Sequence, residues 1–367
     1  MITRVYIKNF RSLKEKNLIF KERIVFFTGK NNQGKTSILE ALYLLGSGRY
    51  LTEKESDHLI HDEQKQSLIA CEWKAEENHQ LYFRFEKPNK LAIVFNKKTI
   101  KKKNVLSKML YIQYLSAESN QAFQASPNHR RQFFNSFFSS LDSSYNKNLK
   151  KYMYYVNQKN KFLKKDQLEK KGLNFLNQQL ISTAVDLVEN RIDLLKKFEV
   201  YFKKKKNKLI SEHFSAIEFK YKLSRLESFA EFDRDSYKRK LEEKVKEDEN
   251  KEKILGYSLV GPHRDDYDVV FQNKSLFRYA SRGINRVFSI AMYGESMKWI
   301  TSNTKQKLCF LADDIFSELD NERQKWVAEY MCSLDQVFLA GVSRHELSLF
   351  TKLQHFEVLQ GDINETA

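Results

Sequence analysis

"RIVFFTGKNNQGKTSILEALYLL", residues Arg23–Leu45, sets a short apolar run before a polar, glycine-bounded loop and an apolar helical face after it. The loop segment Gly29–Thr36 has the spacing G-x-x-x-x-G-K-[ST] of a phosphate cradle. Strand, loop and helix follow in the order such a cradle needs, because backbone N–H groups and a helix N-terminus must face one anion. Gly29, Lys30, Asn31, Asn32, Gln33 and Gly34 supply the loop, and Ile38, Leu39, Leu42 and Leu45 give the following helix its apolar face. Asn32 stands where many such loops carry glycine, and asparagine tolerates left-handed backbone better than other non-glycine residues. In this reading Lys35 reaches the β- and γ-phosphates and the Thr36 hydroxyl binds Mg2+.

A phosphate loop also needs a carboxylate for the metal. "KLCFLADDIFSELD", Lys307–Asp320, offers an apolar strand ending in Asp313 and Asp314. Asp313 is expected to contact Mg2+, directly or through water, and Asp314 to orient or deprotonate an attacking water. Paired aspartates at a strand end are equally common as turn formers; it is the pairing with Lys35 that favours the metal reading. The long stretch between loop and aspartates is the layout of ABC- and SMC-type ATPases, whose site is completed by a second protomer. "YASRGINRVFSIAMYGES", Tyr279–Ser296, fits the serine-glycine helix start those enzymes place over the partner's γ-phosphate, with Ser281 offering a hydroxyl and Gly283 an amide. An ordinary capped helix is the alternative for that stretch.

The chain has 367 residues and a net charge of +17, which favours a polyanionic partner, nucleic acid before a membrane surface. Lysine-rich surfaces of no special function give the same charge. Cys71, Cys309 and Cys332 lack metal-ligand spacing and read as reduced thiols. No apolar run approaches the roughly 18 residues of a membrane span, so a soluble, cytoplasmic protein is expected.

Strand-like segments fill residues 1 to about 114 and return after "GPHRDD" as "YDVVFQ", "KLCFLADD", "QVFLAGV" and "HFEVLQG". Between them apolar residues recur three and four apart. The expected fold is α/β: an ATPase-like head from 1–115 and 251–367, with a helical lobe, 116–250, inserted and no long coiled coil. The lysine clusters from Asn96, Lys203 and Lys238 read as solvated faces more often than as binding sites. The mixed-charge run "EEKVKEDENKEK", Glu242–Lys253, reads as a mobile or solvent-exposed connection.

These residues resemble the bacterial RecF family of replication and recombinational repair. "GPHRDD", Gly261–Asp266, matches one RecF signature. "SPNHRRQFF" resembles the other, Pro-x-x-Arg-Arg-x-Phe, through Pro127, Arg130, Arg131 and Phe133. "NFRSL", "LNFLNQQL", "LADDIFSELD" and "FEVLQGDI" are also similar, so the resemblance spans the chain. It implies an ABC-type head that binds ATP and DNA, dimerises on ATP binding, and acts with RecO and RecR to promote RecA loading at single-strand gaps and the SOS response. By the same resemblance Lys35 and Thr36 bind ATP and Mg2+, and Asp313 and Asp314 serve metal and water. Ser281 and Gly283 act in trans, and Asp320 lies in the loop linking the two sites. A slow ATPase is implied; a nucleotide-binding scaffold with little hydrolysis is the alternative.

Several positions depart from the family pattern. Ile284 replaces a glutamine, Asn135 an aspartate, and Ala117 and Ala125 a proline and a glycine. "FLAGVSRHEL", Phe338–Leu347, lacks the usual threonines, leaving Ser343 or His345 for a switch role or a plain surface turn. Arg130 and Arg131 either pair with nearby carboxylates or meet a phosphate or partner. Arg264 is either fixed by Asp265 or Asp266 or touches ligand.

Overall fold

The computed structural model describes residues 1–51, 56–74, 77–100, 106, 110–116, 123, 126–164, 170–204, 214, 216–226, 232–304 and 308–366. The expectations for Ala117 and Ala125, and parts of the lysine clusters after Asn96 and Lys203, lie outside these residues. The chain divides into two compact units, Met1–Asn120 with Arg282–Ala367, and Gln121–Ser281.

In the first unit the described residues form two six-stranded sheets. The antiparallel one runs β2 (Leu13–Ile19), β1 (Ile2–Phe10), β4 (Gln66–Lys74), β5 (Asn78–Glu86), β6 (Lys90–Phe95), β7 (Lys98–Thr99). The second runs β15 (Asp362–Thr366), β14 (Gln354–Leu359), β3 (Ile24–Thr28), β13 (Gln336–Gly341), β12 (Leu308–Asp313), β8 (Tyr111–Leu115). It is parallel except for the β14–β15 hairpin. β3, β12 and β13 are near-continuous apolar runs, as strands covered on both faces must be.

Helix α1 (Lys35–Ser47) shares one core with both sheets. Ile38, Leu39, Leu42 and Leu45 are fully buried with Val5, Ile69 and Phe83 of one sheet and Leu311 and Phe338 of the other. Each such side chain stabilises the fold by ~1.5–3 kcal/mol. At Gly46 the fit is tight enough that an added Cβ would come within 2.4 Å of Ile112. The helix stops at Gly48, whose φ of 65° is left-handed. β2 is a strand the sequence conceals: "LKEKNLI" is mostly exposed and lysine-rich, and pairing with β1 alone makes it a strand.

The second unit packs α2 (Pro127–Leu141), α3 (Ser143–Leu163), α4 (Lys170–Lys203), α5 (Arg234–Leu255) and the short α6 (Leu276–Tyr279) around a small antiparallel sheet, ordered β11 (Lys274–Ser275), β10 (Asp266–Phe271), β9 (Ile217–Lys222). The unit is therefore not purely helical, and it runs past residue 250 to Ser281. "YDVVFQ" pairs with "IEFKYK" rather than with the head strands, and Tyr267 stacks on Phe134 of α2 at 4.1 Å between ring centroids.

The mixed-charge run Glu242–Lys253 is not a connection; it is the body of α5. Leu241, Val245, Asp248 and Glu252 recur three and four apart and are buried. Glu252 meets the fully buried Lys159 of α3 at 2.6 Å, while Lys244–Glu247 and Lys253–Glu249 line the outside. Two charged residues occupy core positions because they neutralise one another, which defeats a reading by hydropathy.

Candidate functional site

The carboxyl ends of β3, β13 and β12 lie side by side in the first unit, and a crevice at that edge is where open α/β sheets bind ligands. β3 leads into the loop. Asn32 has φ 62° and Gly34 φ 106°, so asparagine takes the left-handed position its chemistry allows and glycine the more extreme one. Gly34 ends the loop as N-cap of α1 with no side-chain cap bond, and the first turn holds no acidic residue. The orphan N–H groups and positive dipole end of α1 are thus left for an anion.

The loop is braced from outside. Gln33 accepts hydrogen bonds from the Gln360 N–H (2.5 Å, side chain) and the Gly361 N–H (3.0 Å, carbonyl), both in the β14–β15 turn. A Cβ on Gly29 would lie 2.3 Å from the Val358 carbonyl oxygen, so only glycine fits beside β14. One residue before the loop, the Thr28 hydroxyl meets His355 Nε2 at 2.7 Å.

Lys35 is 7% exposed, and its Nζ donates to the carbonyls of Gly29 (2.6 Å) and Lys30 (2.8 Å). Burial lowers its pKa, while Asp313, Asp314 and Glu346 oppose that shift and favour the charged form. The Thr36 hydroxyl donates to Asp313 Oδ2 at 2.7 Å, and Tyr114, at the end of β8, donates to the same oxygen at 3.2 Å. Burial raises the Asp313 pKa against these two hydrogen bonds and Lys35. The two oxygens suit one Mg2+, since neighbouring ligands of an octahedral ion at ~2.1 Å stand ~2.9 Å apart. Among the described residues no cluster of three or more His, Cys, Asp or Glu could cage a metal. The ion chemistry the residues fit is therefore one shared with phosphate oxygens and water.

Asp314 has φ 53°, and its N–H donates to the Ala340 carbonyl of β13 at 2.9 Å. Arg286, on α7 (Arg282–Thr304), holds the loop that follows: it donates to the carbonyls of Asp314 and Ile315 and to the Ser317 hydroxyl. Loop, Lys35, Thr36, Asp313 and Asp314 are thus brought together. Ser281 is exposed and directly precedes α7, and Gly283 lies in its first turn with Arg323 alongside. Asp320 caps α8 (Asn321–Cys332), accepting from the Arg323 N–H at 2.9 Å and pairing with that arginine's side chain.

After β13, Ser343 accepts from the His345 N–H at 3.2 Å and both residues are exposed. The side chain of this turn that is buried instead is Glu346. Burial and Asp314 push its carboxyl up to about 7, with Lys35 opposing. Sequence reading missed Glu346, Tyr114 and Arg286; none carries a local spacing signal, since the groups each one faces come from distant parts of the chain.

In the second unit the two quoted signatures hold each other. Arg130 forms a bidentate pair with Asp266, both bonds 2.8 Å, and its guanidinium lies 5.3 Å from the Phe277 ring centre. Arg131 donates to the Asp265 carbonyl at 2.6 Å. Arg264 is fixed by neither aspartate: it donates to the Ser258 carbonyl at 3.0 Å and lies over Tyr257. Asp265 instead accepts from Tyr221 and from the Ser224 N–H, both at 2.7 Å. Beneath them Arg191, 1% exposed, donates to the Pro262 carbonyl (2.6 Å), Asn135 Oδ1 (2.9 Å), Tyr221 (2.9 Å) and Tyr145 (3.3 Å). The arginines act as internal fasteners.

Residues 1–361 match the family described as RecF/RecN/SMC N terminal domain. The chain is 26% identical over 362 residues to the DNA replication and repair protein RecF of Halothermothrix orenii, covering 95% of this chain and 93% of that one. To the protein of the same name from Ligilactobacillus salivarius it is 28% identical, covering 99% and 97%. A solved structure of the recombination mediator protein RecF-ATPrS in the RecFOR pathway superposes with a TM-score of 0.83 at 21% identity, covering 100% of this chain and 98% of that one. An SmcHead bound to the C-winged helix domain of ScpA gives 0.57 at 12% identity, covering 100% and 97%. The shared fold is that of an ABC-type ATPase head.

Proposed function

From its membership of the RecF/RecN/SMC N-terminal-domain family, to which this chain belongs, we propose that the protein is an ATP-dependent DNA-binding factor of replication and recombinational repair. The observation that carries this is the hydrogen bond between Thr36 of the phosphate loop and Asp313 at the end of β12, beside Lys35. A hydroxyl and a carboxylate 277 residues apart meet where one metal ion would need them.

ATP with Mg2+ supplies the triphosphate and the charge that neutralises it. Lys35, which donates to the carbonyls of Gly29 and Lys30, would hold phosphate oxygens. Thr36 and Asp313 would hold the ion, which would supply positive charge to the phosphates, and Asp314 would orient water. Ser281 and Gly283 of a second copy complete the site, so that closure of a homodimer gates DNA binding. RecO- and RecR-like mediators are the expected partners, with RecA loading at single-strand gaps and the SOS response as the outcome. DNA binding of this kind tracks the phosphate backbone and weakens steeply with salt.

The test is mass in solution with and without Mg-ATP, with Lys35→Met as control. ATP-dependent doubling that the variant loses is the expected result. A monomer in both states, with ATP bound, counts against the composite site and favours a nucleotide-binding scaffold, a reading to which Ile284 also points.

A further inference from the structure

Glu346 is a buried carboxylate at the edge of the phosphate-loop site that no part of the fold uses. It is the buried residue of the 3-10 turn Arg344–Leu349. Its Oε2 fills the space over Gly341, 2.2 Å from where a Cβ on that glycine would stand. Gly341 is in register with Thr28 of β3, while its neighbour Ala340 is in register with Asp313 and accepts the Asp314 N–H. The carboxylate therefore lies over the sheet edge between the loop strand and the aspartate strand.

Two charged groups face it: Lys35 from α1 and Asp314 from the end of β12. Among the described residues no hydrogen bond or ion pair engages its oxygens. A buried carboxylate held without a donor beside another carboxylate costs stability, and folding gains nothing visible in return. Such a group earns its place through what binds next to it.

Resting on the reading of loop 29–36 as a nucleotide site, we propose that Glu346 sets the preference between nucleoside triphosphate and diphosphate. The loop lysine of this motif reaches the β- and γ-phosphates, and Glu346 faces that same ammonium. A triphosphate brings one phosphate and one negative charge more than a diphosphate to this ammonium and the carboxylate facing it. The like charge weakens triphosphate binding more than diphosphate binding. The residue thus favours release of the triphosphate from an isolated chain until other contacts outweigh the repulsion.

The experiment measures dissociation constants of Mg-ATP and Mg-ADP by calorimetry at pH ~8, above the folded value of about 7 for Glu346, on the full chain, for the wild type, Glu346→Gln and Glu346→Ala. The expected result is ATP binding about tenfold tighter in both variants, the scale of one like charge removed at close range. ADP binding should change less than twofold, and circular dichroism should be that of the wild type. If the wild type binds both nucleotides and the ATP-to-ADP ratio is unmoved in the variants, or moves toward ADP, the role of Glu346 is overturned and the nucleotide site stands. Equal tightening of both ligands overturns it too, as a general charge effect. If the wild type binds neither nucleotide, the site reading falls and this inference with it.

Discussion

Replacing Arg191 by methionine removes the guanidinium beneath the two signatures and keeps an unbranched side chain of similar reach. Four hydrogen bonds disappear with it. Their loss is uneven. Asn135 Oδ1 keeps the Tyr145 hydroxyl at 2.7 Å, and Tyr221 keeps Asp265, but the buried Pro262 carbonyl loses the donor that Arg191 supplied. An orphaned buried acceptor costs ~1–3 kcal/mol. Asp265, itself 1% exposed, also loses a cation that lowers its pKa; stripping one partner from a buried charge network costs ~3–5 kcal/mol. The two costs fall on one network and overlap, so a loss of about 4 kcal/mol, at a urea dependence of about 2 kcal/mol per M, moves the midpoint down by about 2 M.

The chain separates its own probes. Trp73, Trp299 and Trp326 all lie in the first unit, whereas α2, α3, α4 and α5 lie in the second. Urea unfolding followed by far-ultraviolet circular dichroism should show the loss, with tryptophan fluorescence recorded alongside as the report on the first unit. A dichroism midpoint within ~0.3 M of the wild type would refute the reasoning. It would mean that the guanidinium's bonds merely offset its own desolvation.

His263 accepts from or donates to Tyr152 at 2.6 Å and meets the Ser258 carbonyl at 3.1 Å, and burial lowers its pKa to about 4. The unfolded chain therefore binds the extra proton first, and stability should fall as pH drops from about 6.5 to about 4, a slope that His263→Asn flattens in urea titrations. Glu346 has the opposite sign: its folded value of about 7 lies above the ordinary 4.5. Its contribution is full below about 4.5 and is lost as pH rises to about 7, so Glu346→Gln should unfold later than the wild type at pH ~8 but not at pH ~4. Cys71 and Cys309 are buried and Cys332 is exposed. A maleimide should label one thiol per native chain and three after denaturation, counted by mass spectrometry.

The loop 29–36 is legible because its parts are local: an apolar strand, glycines at fixed offsets and a 3.6-residue apolar face on one stretch, Arg23–Leu45. The aspartates were legible as a second local pattern. What failed depended on partners far along the chain. β2 and β9 are lysine-rich and are strands only through their neighbours. α5 reads as a solvated charge run until Lys159, 93 residues away from Glu252 in number, is placed against it. For the turn after β13 the sequence offered Ser343 and His345. The buried position fell to Glu346 because Gly341 has no side chain to occupy that space.

The clasp between Arg130 and Asp266 bears on heredity as well as on packing. Two short stretches 136 residues apart share one joint, so a change in either should weaken the second unit in the same way. Its remedy will map to the other stretch. Suppressors of an Arg130 lesion should gather at Asp266 and Phe277 rather than at the phosphate loop.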